Sequence, residues 1–264
     1  MRERIRRLSW KLEFAIVLGL AFAWAVPATV RSLVTAAALA RSATPPISEL
    51  SIWHTIFLEL IVAALLVPFL RMRGWTLARL GIRPSLRDCL NGVGLALATY
   101  ALYVGFVWLV WSVWPPVSYA LAQTHLVARG LSWSAIVIGS LINPVYEEIF
   151  VCGYVISVLT ERHTKAVATL GRTIGEGNVE ASGVEEVGTV RPLSAPAASL
   201  ATAVNISAAI RLSYHLYQGV AGVLAVVPVG LLFGVWFART RRLWPLIVAH
   251  AIIDFIGLTA GSMR

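Results

Sequence analysis

A bundle of membrane-spanning α-helices is the fold this chain predicts, and three observations carry the prediction. Charged residues are scarce, 13% of 264, against 58% apolar and a mean hydropathy of +0.77; soluble domains carry roughly 25% charge. Apolar runs of bilayer length recur along the whole chain. The basic residues fall in the short segments between those runs rather than along one face. The net charge of +9 therefore reads as membrane topology, with a lipid bilayer as partner and no nucleic acid. Cys89 and Cys152 lie far apart and define no disulfide framework.

A span needs roughly 20 apolar residues. Runs of that length fall at 12–39, 50–70, 88–114, 132–159, 197–217, 219–238 and 243–262, an all-α polytopic bundle of seven spans, or eight if the first splits. The first run follows a basic start, but it is long for a signal-peptide core and many spans follow it, so it is read as a retained span. Pro27 and Arg31 predict that it tilts, kinks or ends early. Trp108, Trp111, Trp114 and Tyr119 crowd the end of the third run, with Trp10, Trp53, Trp75 and Trp133 near other span ends, as in an interfacial aromatic belt.

Seventeen of the 22 basic residues fall on one side of such a bundle: in the N-terminal segment, in 71–87, in 160–196 and in 239–242. Arg31, Arg41, Arg129 and Arg264 fall on the other, and Arg211 lies inside a span. The bias predicts an integral membrane protein with a cytoplasmic N-terminus. The whole of 1–264 reads as one membrane domain, with a hydrophilic linker over 163–196. The Gly-, Ser- and Glu-rich part of it, 171–196, lacks periodicity, and its pair Glu185 and Glu186 reads as solvated.

Ionisable residues inside spans are costly and mark cavities, relays or sites. Glu147 and Glu148 sit within an apolar run, Arg211 and His215 in the fifth span, His250 and Asp254 in the seventh, and His54 and Glu59 in the second. Arg211 and His215 share a helical stripe, as do His250 and Asp254, whereas Glu147 and Glu148 diverge by about 100°. Asn143-Pro144 just before them favours a kink or break, and with it a widened, hydrated pocket. A carboxylate with a histidine can activate water, and a second histidine oriented by its carboxylate can stabilise an oxyanion. Glu59 reads as interface anchoring or cavity packing, His125 and His163 as exposed loop residues, and Gly230, Gly234 and Gly257 as sites of close helix packing.

Glu147-Glu-Ile-Phe-Val-Cys-Gly153 resembles the E-E-x-x-F-R-G motif of the CPBP family, the CAAX-protease and bacteriocin-processing intramembrane proteases. Arg211-Leu-Ser-Tyr-His215 is similar to the family's F-x-x-x-H, and His250-Ala-Ile-Ile-Asp254 to its H-x-x-x-N. Order and spacing agree over 132–262, the motif-bearing half. The resemblance implies an intramembrane endopeptidase of a bacterial cytoplasmic membrane, acting on a peptide or membrane-anchored protein near the membrane surface. It implies that Glu147 and His215 activate water, that His250 and Asp254 form the oxyanion side, and that Glu148 supports the pocket. The family is described both as metalloproteases and as glutamate proteases. No H-E-x-x-H occurs here, so zinc would have to draw Glu147, His215 and His250 from three helices; the reading favours no metal.

Two departures from the motifs involve charge: Cys152 stands in the place of the family Arg, and Arg211 in the place of the Phe that opens the second motif. One reading is that the positive charge has moved between helices, Arg211 now neutralising Glu148, with Cys152 a small buried residue rather than a nucleophile. Two rival functions stand beside the protease. One is an ion-coupled transporter with Glu147, Glu148 and Asp254 as relay, and the other a non-catalytic membrane scaffold.

Overall fold

A computed structural model describes residues 3, 5, 7–27, 29–30, 47–115, 130–166, 169, 197–216 and 219–262. The linker over 171–196 with Glu185 and Glu186, the tract 31–39, His125, Tyr119, and Arg31, Arg41, Arg129 and Arg264 lie outside the described residues. All regular structure among the described residues is helical. The helices are α1 (Trp10–Phe22), α2 (Glu49–Met72), α3 (Leu86–Val113), α4 (Trp133–Glu148), α5 (Ala197–Tyr214), α6 (Gly219–Thr240) and α7 (Trp244–Ser262). A π-helical segment, Ile149–Ile156, continues α4.

Four helices start on a serine whose hydroxyl accepts from an N–H of the first turn: Ser9, Ser48, Ser85 and Ser132. A first-turn N–H has no intrahelical partner, and inside a membrane it must find one in the protein. Glu49 ties two starts together, its carboxylate taking the Ser132 hydroxyl at 2.5 Å and the Ser132 N–H at 3.1 Å.

Five helices are long and apolar enough to cross a bilayer among the described residues: α2, α3, the continuous run Trp133–Ala166 that begins with α4, α6 and α7. Two of the seven expected spans are not in that set. α1 stops after 13 residues, about 20 Å at the helical rise. Trp24 folds back to donate to the Ala21 carbonyl at 2.9 Å, and Pro27 has no N–H for the Ala23 carbonyl. α5 is 18 residues of mostly small and polar side chains. Its buried positions, Ser199, Ala203, Val204, Ser207, Ala208, Arg211 and Tyr214, form a single helical stripe.

Trp133–Ala166 is the axis of the bundle, with 61% of its apolar window buried against 17% for α2 and for α3. α2, α5 and α7 pack on it, and α7 also packs on α3. The outer faces of α2 and α3 present Phe57, Leu60, Leu65, Leu97, Trp108 and Trp111, all exposed, as a lipid-facing surface requires. One core joins Val17 and Phe22 of α1 to Leu66 and Leu70 of α2 and to Tyr146, Phe150 and Tyr154. A second joins Cys152 and Ile156 to Phe233, Phe237, Leu243 and Leu246.

The two described connections that carry basic residues, 73–85 and 241–243, meet at one end. The Gly81 carbonyl accepts from the Leu243 N–H at 2.8 Å. At φ +81° a Cβ on Gly81 would lie 2.6 Å from the Arg241 carbonyl oxygen, so only glycine lets these segments touch. A Cβ on Gly234 would crowd Val204 at 3.0 Å, one on Gly230 would meet Arg211 at an ordinary 3.5 Å, and one on Gly257 would meet no atom of the described residues within 4 Å. Trp75 is also unlike an interfacial tryptophan, being 4% exposed and within the first core.

Candidate active site

The expected break at Asn143-Pro144 does not occur. Pro144 lies inside α4, and the helix continues past it. The irregularity follows the glutamate pair instead, in the π-helical segment from Ile149. A π turn widens the helix and shifts its hydrogen-bond register. Here the Val151 carbonyl takes the Ser207 hydroxyl of α5 at 2.8 Å, and the Gly153 carbonyl takes the hydroxyl of Ser157. The first of these contacts locks α5 against the widened turn.

α5 runs antiparallel to that segment, Ser207 meeting Val151, Arg211 meeting Glu148 and Tyr214 meeting Glu147. Because α5 is short, its C-terminal end, with His215 next, comes to the middle of the much longer Trp133–Ala166 run. α7 is antiparallel too, placing His250 against Glu148 and Asp254 against Asn143.

Arg211 solves the divergence of the two carboxylates. Its Nη2 donates to Glu148 Oε1 at 2.6 Å and its Nη1 to Glu147 Oε2 at 3.3 Å. It is 1% exposed and among the largest fully buried side chains, with its guanidinium 5.9 Å from the Phe233 ring. Nη2 also lies 3.9 Å from Cys152 Sγ. Position 152 is one turn beyond Glu148, on the same stripe. The guanidinium reaching across from α5 thus occupies the surroundings that an arginine at 152 would share. Cys152 itself is 1% exposed, in the apolar core.

The two carboxylates are used differently. Glu148 is wholly buried; its Oε1 receives both Arg211 and His250 Nδ1, the latter at 2.7 Å, and its Oε2 has no hydrogen-bond partner among the described residues. Glu147 is 7% exposed, and both of its hydrogen bonds converge on Oε2, from Arg211 and from the Tyr214 hydroxyl at 2.6 Å. Its Oε1 accepts none among the described residues. His250 points its other nitrogen, Nε2, toward Asp254 Oδ1 at 3.5 Å. Asp254, a quarter exposed, takes the Asn143 amide on Oδ2 at 3.2 Å. His215 Nδ1 is 2.8 Å from the Arg211 carbonyl; a carbonyl only accepts, so Nδ1 carries the hydrogen and Nε2 the lone pair of the neutral ring.

Tyr214 and Asn143 are the site members that sequence reasoning missed. Both were within reach of a stripe argument: Tyr214 stands three residues after Arg211, and Asn143 four before Glu147. Glu59 is buried at 1% with no hydrogen bond to either oxygen among the described residues, whereas His54 is exposed. Two cavities of the bundle, one of about 100 Å³ beside Trp133 and one of about 370 Å³ at the basic end, are lined by neither glutamate.

The zinc set left open by the sequence does not form. Among the described residues no three His, Cys, Asp or Glu side chains converge as metal ligands. Of that set, His250 lies between two carboxylates, Glu148 and Asp254. A metalloprotease reading therefore has no support here.

Residues 183–256 match the family model of the type II CAAX prenyl endopeptidases, Rce1-like. That match is consistent with the CPBP family. It contains Arg211, His215, His250 and Asp254 and stops short of the glutamate pair. No curated protein matches the chain. No solved structure matches it either. At the coarse level the match suggests an endopeptidase of the CAAX-protease type.

Proposed function

We propose that this chain hydrolyses a peptide bond near the membrane surface of a membrane-anchored protein, with Glu147 as the general base. The observation that carries the reading is the asymmetry of the glutamate pair. Glu148 is immobilised by Arg211 and His250, while Glu147 is held by one oxygen and presents the other unbonded. Glu147 Oε1 takes a proton from water as the oxygen bonds to the carbonyl carbon. The protonated Glu147 then returns that proton to the departing amine as the C–N bond breaks. His215, its lone pair on Nε2, helps hold the water. His250, flanked by two carboxylates, acts as an imidazolium: its Nδ1–H stays on Glu148, and its Nε2–H turns from the loose approach to Asp254 to donate to the developing oxyanion. Asn143 keeps Asp254 in place on the same side.

The test compares the termini of membrane proteins in cells carrying wild type or Glu147→Gln at equal expression, in a bacterial cytoplasmic membrane with the basic end inward. Mature termini that disappear with the variant establish proteolysis and name the substrate. Identical termini overturn it. The dense packing around Glu148 and Arg211 is what a non-catalytic scaffold would also show, and that second outcome would favour the scaffold.

A further inference from the structure

The cavity of about 370 Å³ at the basic end lies within the range of small-molecule sites, roughly 300–1,000 Å³. Its walls come from two connections, with Arg79 and Arg83 before α3 and Arg241 and Arg242 in the turn between α6 and α7, and from the end of the long central run, with Glu161. These segments lie just beyond the apolar spans, which end at Met72 and Thr240 and resume at Leu86 and Trp244. The cavity therefore sits at headgroup level.

Its four arginines are not equivalent. Arg79 is neutralised by a two-pronged pair with Glu161, at 3.0 and 2.6 Å, and lies over the Trp75 ring. Arg242 is neutralised the same way by Asp88, at 2.6 and 2.5 Å. Arg241 has no carboxylate partner among the described residues. It donates to the hydroxyls of Ser157 at 2.8 Å and Thr160 at 3.4 Å and lies over Phe237. It is also the one non-glycine residue with positive φ among those described, at 54°, a conformation that persists only where the surroundings enforce it. Arg83 makes no ion pair or hydrogen bond among the described residues. Two guanidinium groups thus line one cavity with no ion pair among the described residues, its carboxylate Glu161 being paired with Arg79.

We propose that this cavity binds a phosphate group through Arg83 and Arg241. At this depth the source is an anionic lipid headgroup, since polybasic segments at a membrane surface attract such lipids and arginine forks match phosphate oxygens in two-pronged fashion.

The test uses the full chain in detergent, titrated with short-chain phosphatidylglycerol, short-chain phosphatidylcholine or inorganic phosphate, bound lipid being counted by native mass spectrometry and phosphate by calorimetry. Arg83→Gln is the decisive variant, because Arg83 holds no contact on which the fold depends. Arg239→Gln, which removes an exposed charge outside the cavity, is the control. Saturable binding of the anionic lipid that weakens roughly tenfold or more in Arg83→Gln and Arg241→Gln, with Arg239→Gln unchanged, is expected. The same pattern with inorganic phosphate alone assigns the site to a free anion. Equal weakening by Arg83→Gln and Arg239→Gln, or equal binding of phosphatidylcholine, overturns the proposal. Because no readout involves peptide cleavage, its failure is separable from failure of the protease reading.

Discussion

Near the basic end of the bundle Glu13 is buried, and both its oxygens are used. Oε2 takes Arg73 Nε at 2.5 Å, and Oε1 takes Trp75 Nε1 at 2.8 Å and the Tyr154 hydroxyl at 3.2 Å. The same arginine donates to the carbonyls of Ile5 and Leu8, fastening the N-terminal segment. Two turns back along the central run, Arg211 also meets buried carboxylates, but there Glu148 Oε2 and Arg211 Nε have no partner and Glu147 Oε1 accepts no bond among the described residues. The two clusters use the same side-chain types for different ends. A fully satisfied buried network rigidifies; a partly satisfied one stores capacity for a reacting molecule.

The largest separation between the clusters comes from Glu147→Gln against Glu13→Gln. The amide at 147 still accepts from Tyr214 but cannot take a proton. Cleavage should fall by roughly 100-fold or more, general-base catalysis contributing about 10²–10⁴, with the melting temperature in detergent nearly unchanged. Glu13→Gln should do the reverse: folded yield falls, while turnover per folded molecule, measured on the substrate found by terminal analysis, is retained. If Glu13→Gln were the variant that lost turnover, the distinction would collapse.

Arg211→Ala should come next, removing cleavage and destabilising by about 3–5 kcal/mol, because it strands the wholly buried Glu148 without a counter-charge. A variant with unchanged melting and activity would mean that Arg211 neutralises nothing. Tyr214→Phe should be milder. It removes one hydrogen bond from Glu147 Oε2, and about tenfold lower turnover is expected with unchanged substrate affinity. The smallest effect should be Glu59→Leu. Both Glu59 oxygens lack partners among the described residues, so replacing the carboxyl by an apolar group should leave the melting temperature level or slightly raised. A large fall would show that Glu59 is bonded to something in the working protein.

How much of this was readable beforehand follows from the range of each interaction. Hydropathy is a property of contiguous residues, so the runs that became α2, α3, the central run, α6 and α7 were legible, as were the stripe partners His250 and Asp254. Among the described residues α1 and α5 fall outside the set of helices long and apolar enough to cross a bilayer, for a local and a tertiary reason respectively. Trp24 and Pro27 interrupt the first, and the second owes its place to neighbours that cover Ser199, Ser207 and Arg211.

From its residues alone, this chain declares an all-helical membrane domain, the ionisable residues worth examining, and the departures at Cys152 and Arg211. Only the tertiary structure decided which of them meet. The short α5 brings Arg211 between two carboxylates that diverge on their own helix, the π segment lets Ser207 lock it there, and His250 closes on Glu148 from the far side. Those pairings join residues more than 50 positions apart, and the side-chain directions that create them are set by how helices pack, which no local pattern encodes.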